Sequence, residues 1–179
     1  PPSFDYEAPA TLDDAVALLA ANEFEAKLLA GGQSLMPLLN MRLARPDLIV
    51  DLGRIRELDY IREGAKGGLA IGAMTSKRAA ERSQLVLARN PMLQVATALV
   101  GHPQIRNRGT VGGSMAQADP AAEYPAVALA LDVELVARGP GGERVIPAAD
   151  FFITYLTTCL EPAEVLTEVR VPAIPAGRG

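Results

Sequence analysis

The chain is poor in metal ligands, with one cysteine, Cys159, and one histidine, His102, in 179 residues. A lone thiol cannot close an internal disulfide. One thiol and one imidazole also fall short of the several converging ligands that an iron–sulfur cluster or a structural zinc site needs. The same scarcity excludes a serine–histidine or cysteine–histidine triad unless His102 is its base, and nothing around His102 reads that way. Tryptophan is missing, aromatics are 4% of the residues, and of 17 cations only Lys27, Lys66 and Lys77 are lysine. With cations dispersed, a net charge of −4 and few rings for bases to stack on, no nucleic-acid groove is expected. The longest apolar run, Tyr124 to Leu131 with Pro125 inside it, is far short of the ~20 residues of a bilayer span, so no membrane span is expected. The first residues, Pro1 to Tyr6, lack the basic start and apolar run of a signal peptide, from which a cytoplasmic, reducing location is expected.

What is present is an apolar complement of 49%, enough for a chain of this length to bury roughly 70% of its unfolded surface without a staple. The first 52 residues predict alternating short strands and helices. Phe4 to Tyr6 starts extended, and Thr11 caps a helix from Leu12 to Ala21 that buries Leu12, Ala15, Val16 and Leu19. Lys27 to Ala30 reads as a strand running into Gly31-Gly32, Leu35 to Met41 as a short helix, and Asp47 to Leu52 as a strand bounded by Pro46 and Gly53. This β-α-β-α-β order favours a small parallel sheet.

From Gly53 onward the texture changes. Leu58 to Arg62 and Leu69 to Ala73 predict a hairpin. Ser76 caps a polar helix through Gln84, and Pro91 opens another whose buried side is Leu93, Ala96, Leu99 and Val100. Asp119-Pro120 starts a helix carrying Val127, Ala128 and Leu131. Val133 to Ala137 alternates as a half-exposed strand, returning through Gly139 to Gly142 into Arg144 to Ile146. A short helix near Phe151 to Leu156 and a last strand from Val165 to Val171 complete an α+β half with a mainly antiparallel sheet. The chain therefore divides into lobes at 1–52 and 53–179, and a cleft between them is the expected ligand site.

Two loops share a pattern of a small or β-branched residue, paired glycines, a polar side chain and an apolar residue: Ala30-Gly31-Gly32-Gln33-Ser34-Leu35 and Thr110-Val111-Gly112-Gly113-Ser114-Met115. Paired glycines let a backbone reach positive φ and converge its N–H groups on an anion, with no Cβ in the way. No lysine lies in either loop, so a phosphate there is expected to be held by amide dipoles, with the Ser34, Thr110 and Ser114 hydroxyls as further donors. One Gly-Gly turn alone is more often only a turn. Two in one cleft suit the halves of a diphosphate, and neither is the G-x-G-x-x-G of a Rossmann fold.

The strings Ala30 to Leu43, AGGQSLMPLLNMRL, and His102 to Ser114, HPQIRNRGTVGGS, together with DPAAEYP at 119–125 and YLTT at 155–158, resemble the FAD-binding medium subunits of molybdenum hydroxylases. The likeness is to the carbon monoxide dehydrogenase type within the wider xanthine dehydrogenase family, and it covers essentially the whole chain. It implies a two-lobed FAD-binding domain of the PCMH type whose loops both touch the cofactor's pyrophosphate. Carried over residue by residue, it implies FAD contacts at Leu29, Ala30, Gly31, Gly32, Gln33, Ser34, Leu35 and Met36. In the second loop it implies Gly109, Thr110, Val111, Gly112, Gly113, Ser114, Ala116 and Gln117, with Glu123 and Leu166 beyond. Glu123 reads equally as a first-turn helix carboxylate behind Asp119 and Pro120, and Leu166 as plain core. Arg106 and Arg108 read as loop braces or solvated side chains, His102 as a residue at a helix C-terminal end, and Cys159 as a small buried residue.

The resemblance further implies a subunit passing electrons through FAD to an external acceptor. A large partner would hold the molybdenum cofactor and a small one the [2Fe–2S] clusters, and no residue of this chain is expected to be catalytic. Family members continue for roughly another hundred residues as a C-terminal domain, expected to be absent from this sequence, which is either a fragment of a longer chain or a member without that domain. A stand-alone flavin oxidoreductase of the same fold and a non-catalytic dinucleotide-binding module are the alternatives.

Overall fold

Two sheets of opposite character, joined at the last strand, organise residues 1–174, which the computed structural model describes. The first has order β1-β3-β2 and is parallel throughout, built from β1 (Asp5–Glu7), β2 (Ala26–Leu29) and β3 (Leu48–Asp51). Helix α1 (Leu12–Ala21) crosses between β1 and β2, and its cap is Thr11, whose Oγ1 accepts from the Asp14 amide at 3.2 Å. Ala15, Val16 and Leu19 of α1 pack on Leu48 and Val50 of β3. The six-residue α2 (Leu35–Asn40) follows the first glycine loop, with Pro37 in its first turn, where a missing N–H costs nothing.

The second sheet has order β4-β5-β10-β6-β7 and every neighbouring pair is antiparallel. Its strands are β4 (Ile61–Glu63), β5 (Leu69–Gly72), β6 (Glu134–Gly139), β7 (Gly142–Pro147) and β10 (Val165–Val171). Helices α3 (Lys77–Arg82), α4 (Gln84–Arg89), α5 (Pro91–Leu99), α6 (Pro103–Arg108), α7 (Val111–Gln117) and α8 (Glu123–Ala130) lie between β5 and β6 in the chain. Leu69, Ile71, Leu135 and Val169 of the sheet share one core with Val86, Leu93, Met115, Tyr124 and Ala128 of the helices.

The seam between lobes is β10. Val165 and the nearby Ala163 complete the core of the first lobe, with Ile55 and Leu58, whereas Leu166, Val169 and Val171 belong to the second. A register shift between Leu166 and Glu168 interrupts the period-two alternation, so that Leu166, Val169 and Val171 all reach the second core. Buried Glu168 beside it accepts from Tyr60 (2.6 Å), Arg62 (2.8 Å) and Arg170 (2.5 Å), so no lone carboxylate is stranded there.

Several expectations require correction. The polar helix through Gln84 is two helices, because Ser83 stops α3 and caps α4 through its hydroxyl. On α5 the buried side is Leu93, Thr97 and Val100, while Leu99 is 68% exposed. The Thr97 hydroxyl donates to the Leu93 carbonyl and pairs with Tyr124 Oη, which lets a polar residue occupy the inward face. Asp119 does not cap a helix: it closes a turn through the Ala121 and Ala122 amides, and α8 begins at Glu123. Strand β6, between β10 and β7 in the sheet, is buried on both faces at Leu135, Val136 and Ala137. Residues near Phe151 split into α9 (Ala148–Phe151) and a hairpin of β8 (Phe152–Thr154) and β9 (Thr157–Thr158), turned at Leu156 with φ +54°. His102 stands at the start of α6, not at a helix C-terminus, and is exposed. Arg106 is buried and braces α6 against α3, donating to both Glu81 carboxylate oxygens and to the Val100 and Gly101 carbonyls. Cys159 is only half-buried.

Candidate functional site

A cleft of about 530 Å³ runs between the two lobes, in the size range of small-molecule and cofactor sites. Its first wall is the loop after β2, from Ala30 to Leu35. The second is Gly109-Thr110 and the first turns of α7, and the third is Leu156, Thr158 and the stretch from Leu160 to Pro162 with Val165 and Leu166. Arg144 fastens that third wall, donating to both carboxylate oxygens of Glu164 (2.7 and 2.8 Å) and to the Cys159 carbonyl (2.8 Å).

The two glycine loops meet backbone to backbone. A Cβ on Gly31 would stand 2.2 Å from the Arg108 carbonyl oxygen and 2.7 Å from Gly109 Cα, so only glycine lets the lobes approach this closely. Gly32 has φ +73°, turning the chain into α2. Among the described residues, the N–H groups of Gly31, Gly32, Gln33, Ser34 and Leu35 donate to no protein acceptor. The Ser34 hydroxyl is not spent on capping either. Consecutive free amides beside a positive-φ glycine form a concavity suited to an anion.

The second loop is built differently from its counterpart. Gly112 and Gly113 lie inside α7 and neither has positive φ. The amides of Val111 and Gly112 donate to the Thr75 and Ala73 carbonyls, Gly113 to Thr110 Oγ1 (3.0 Å), and Ser114 to the Thr110 carbonyl. Among the described residues this loop leaves only the Thr110 amide without a protein acceptor, so it brings closeness of packing rather than a second row of free amides. A Cβ on Gly112 would stand 2.4 Å from the Ala73 Cβ, and glycine here seats α7 against the end of β5.

Of the residues expected at the site, Ala30, Gly31, Gly32, Gln33, Ser34, Leu35, Gly109, Thr110, Gly112, Gly113, Ser114, Ala116, Gln117 and Leu166 line this one cleft. Leu29 and Met36 do not; their side chains pack on either side of Gly32. Val111 is 1% exposed within the core of the second lobe. Glu123 lies behind the wall, half-buried, as the first residue of α8. Leu166 is both core and lining.

Sequence reasoning missed Lys77. It is 6% exposed at the first position of α3, yet it lines the cleft. Its Nζ stands 5.7 Å from the centre of the Tyr124 ring. Burial pushes the ammonium below its ordinary value, and the charge of Glu123 partly restores it. The expectation that cations take no part was drawn from the two loops alone, while Lys77 arrives from a helix more than thirty residues before the second loop. A capping serine followed directly by the one lysine of an otherwise arginine-rich stretch was the only available signal.

Comparison with known proteins agrees with this architecture. Residues 2–174 match the model of a family described as the FAD binding domain in molybdopterin dehydrogenase. The chain is 45% identical over 179 residues to the carbon monoxide dehydrogenase medium chain of Hydrogenophaga pseudoflava and covers 62% of that protein. It is 45% identical to subunit alpha of the 6-hydroxypseudooxynicotine dehydrogenase complex of Paenarthrobacter nicotinovorans, covering 60% of it. It thus spans less than two thirds of the length of these curated relatives. A solved structure of the Hydrogenophaga pseudoflava carbon monoxide dehydrogenase lacking the Mo-pyranopterin moiety superposes with a TM-score of 0.96 at 46% identity, over 99% of this chain and 61% of that one.

Proposed function

Because the chain belongs to the family of FAD-binding domains of molybdopterin dehydrogenases, we propose that it is the flavin-binding part of an electron-transfer subunit in a molybdenum hydroxylase complex. Its cofactor is FAD, and the protein is an oxidoreductase subunit. In this reading electrons leave iron–sulfur clusters on a small partner, having come from a molybdenum cofactor on a large one, and pass through FAD to an external acceptor. One cysteine and one histidine leave this chain unable to ligate such clusters itself. No group of three or more His, Cys, Asp or Glu side chains suited to a metal occurs among the described residues. No helix among them is long and apolar enough to cross a membrane.

The observation that carries the reading is the row of free amides from Gly31 to Leu35 on the wall of a cleft that both lobes close. A diphosphate fits there: its charge meets N–H dipoles, and a glycine at positive φ lets the backbone come close. The apolar side chains of Leu156, Leu160 and Leu166 line the same cleft and offer apolar surface to a ring system. When bound, FAD supplies the redox chemistry, and the protein contributes binding, orientation and tuning. No side chain in the cleft has to act as an acid or a base. We take residues 1–52 and 53–179 as the two lobes that grip the cofactor, the last five lying outside the described residues.

The test is a visible absorption spectrum of the purified protein, followed by release of the chromophore by heat and its identification by mass. Bound FAD is expected, lost when Gly32 and Gly113 are both replaced by bulky residues. The electron-transfer role predicts that the flavin is reduced by a substrate only when the partner chains are present. Reduction by a small molecule in their absence would mark a stand-alone flavoenzyme, and FAD that no partner reduces would mark a binding module.

A further inference from the structure

We propose that Lys77 supplies the positive charge for the cofactor's diphosphate on the side of the cleft where the second glycine loop has only the Thr110 amide to give. The inference rests on the FAD reading above. A lysine at 6% exposure is unusual unless something pairs it. Among the described residues Lys77 makes neither a hydrogen bond nor an ion pair through Nζ. Its neighbours are the Tyr124 ring, 5.7 Å from centroid to Nζ, and the charge of Glu123 at longer range. A buried ammonium without a hydrogen-bond acceptor is costly, and an anion in the cleft would remove that cost.

Position favours the diphosphate over other parts of the cofactor. The point where a Gly109 Cβ would stand lies 3.3 Å from Lys77 Nζ and 3.5 Å from Gln33 Cγ, so the ammonium sits where the two glycine loops touch. The Lys77 amide donates to the Gly109 carbonyl (2.8 Å), which fixes the base of the side chain to the start of the second loop. The free amides of Gly31 to Leu35 face the anion from one lobe, while the first-turn amides of α7 are all engaged within the protein. Lys77 is the buried cation on that second side, and an ammonium matches phosphate oxygens as a compact point charge.

The test measures FAD affinity of the cofactor-free protein for wild type, K77M and K77R, together with the phosphorus NMR resonances and the visible band of bound FAD. K77M is expected to weaken FAD binding about tenfold or more and to shift the phosphorus resonances while leaving the flavin band in place. K77R is expected to recover most of the affinity. If K77M does not fold, K77Q replaces it in the same measurements. Affinity unchanged within about twofold, or a loss accompanied by a moved flavin band and unmoved phosphorus resonances, overturns the proposal. Wild-type protein that takes up no FAD overturns the cofactor reading instead, so the two failures are distinct.

Discussion

Replacing Gly31 with alanine tests whether the lobes meet as closely as the site requires. The new methyl would stand 2.2 Å from the Arg108 carbonyl oxygen, 2.7 Å from Gly109 Cα and 2.9 Å from the Arg108 carbonyl carbon. These are backbone atoms, and the first distance is roughly 1 Å short of ordinary van der Waals contact. No side chain can rotate away, so the first loop must lift off the second. Overpacking of this kind costs about 1–3 kcal/mol. Alanine also lowers the entropy of the unfolded chain, which returns roughly 0.4–1 kcal/mol. The net expectation is a loss of about 1–2 kcal/mol, or about 2–8 °C in melting temperature for a chain of this size. Gly31 does not have positive φ, so backbone strain adds nothing to the result. Gly141→Ala is the matched control, with no atom within 4 Å of its added methyl, and should be neutral or slightly stabilising. Both variants are melted without cofactor and then titrated with FAD. G31A should melt lower and bind FAD more weakly, because the lifted loop is the one that carries the free amides. A G31A protein that melts within about a degree of G141A would refute the backbone contact and the cleft geometry derived from it.

Thr110→Val removes the side-chain cap of α7 and should cost about 0.5–2 kcal/mol in urea unfolding, with Thr110→Ser close to wild type because its hydroxyl still accepts from Gly113. In the Thr97–Tyr124 pair the two deletions should differ. T97V strands the Tyr124 hydroxyl in the core, at a cost of about 1–3 kcal/mol, whereas Y124F leaves Thr97 donating to Leu93 and should cost about 0.5–1.5 kcal/mol. Acid should destabilise the fold through three glutamates. The Arg106 and Arg78 guanidiniums hold Glu81 below its ordinary 4.5, and Arg144 does the same for Glu164. Burial pushes Glu168 upward, but the combined hydrogen bonds of Tyr60, Arg62 and Arg170 leave it below 4.5 as well. Depressed values in the folded state mean that stability is fully present above pH 4.5 and is lost as pH falls through them. E168Q should therefore be less stable than wild type near neutrality and show a flatter decline in acid, read from urea midpoints across that range; parallel curves would remove Glu168 from the account.

Local chemistry was legible in the sequence wherever a short-range rule decides. The span of α1 and its Thr11 cap, the hairpin of β6 and β7, and the run of β10 follow from periodicity, capping and turn residues within a few positions of each other. Errors fell where a distant partner overrides the local preference. Thr97 points inward because Tyr124 meets it, Leu99 faces outward on the same helix, and Arg106 is buried because Glu81 and two carbonyls receive it. The glycine pairs show the same division within the site. Composition marked both as places where backbone comes close, and both do line one cleft. That one loop keeps its amides free while the other spends all but that of Thr110 on Ala73, Thr75 and Thr110 depends on what packs behind each, a property of neighbours far along the chain. Lys77 follows the same logic: its charge is written in the sequence, but its placement in the cleft wall arises only when α3 docks against Gly109. Sequence determined which segments turn, cap and pair with their near neighbours, because those energies are local. Tertiary packing decided which polar groups remain without partners, because satisfying them depends on segments brought together from across the chain.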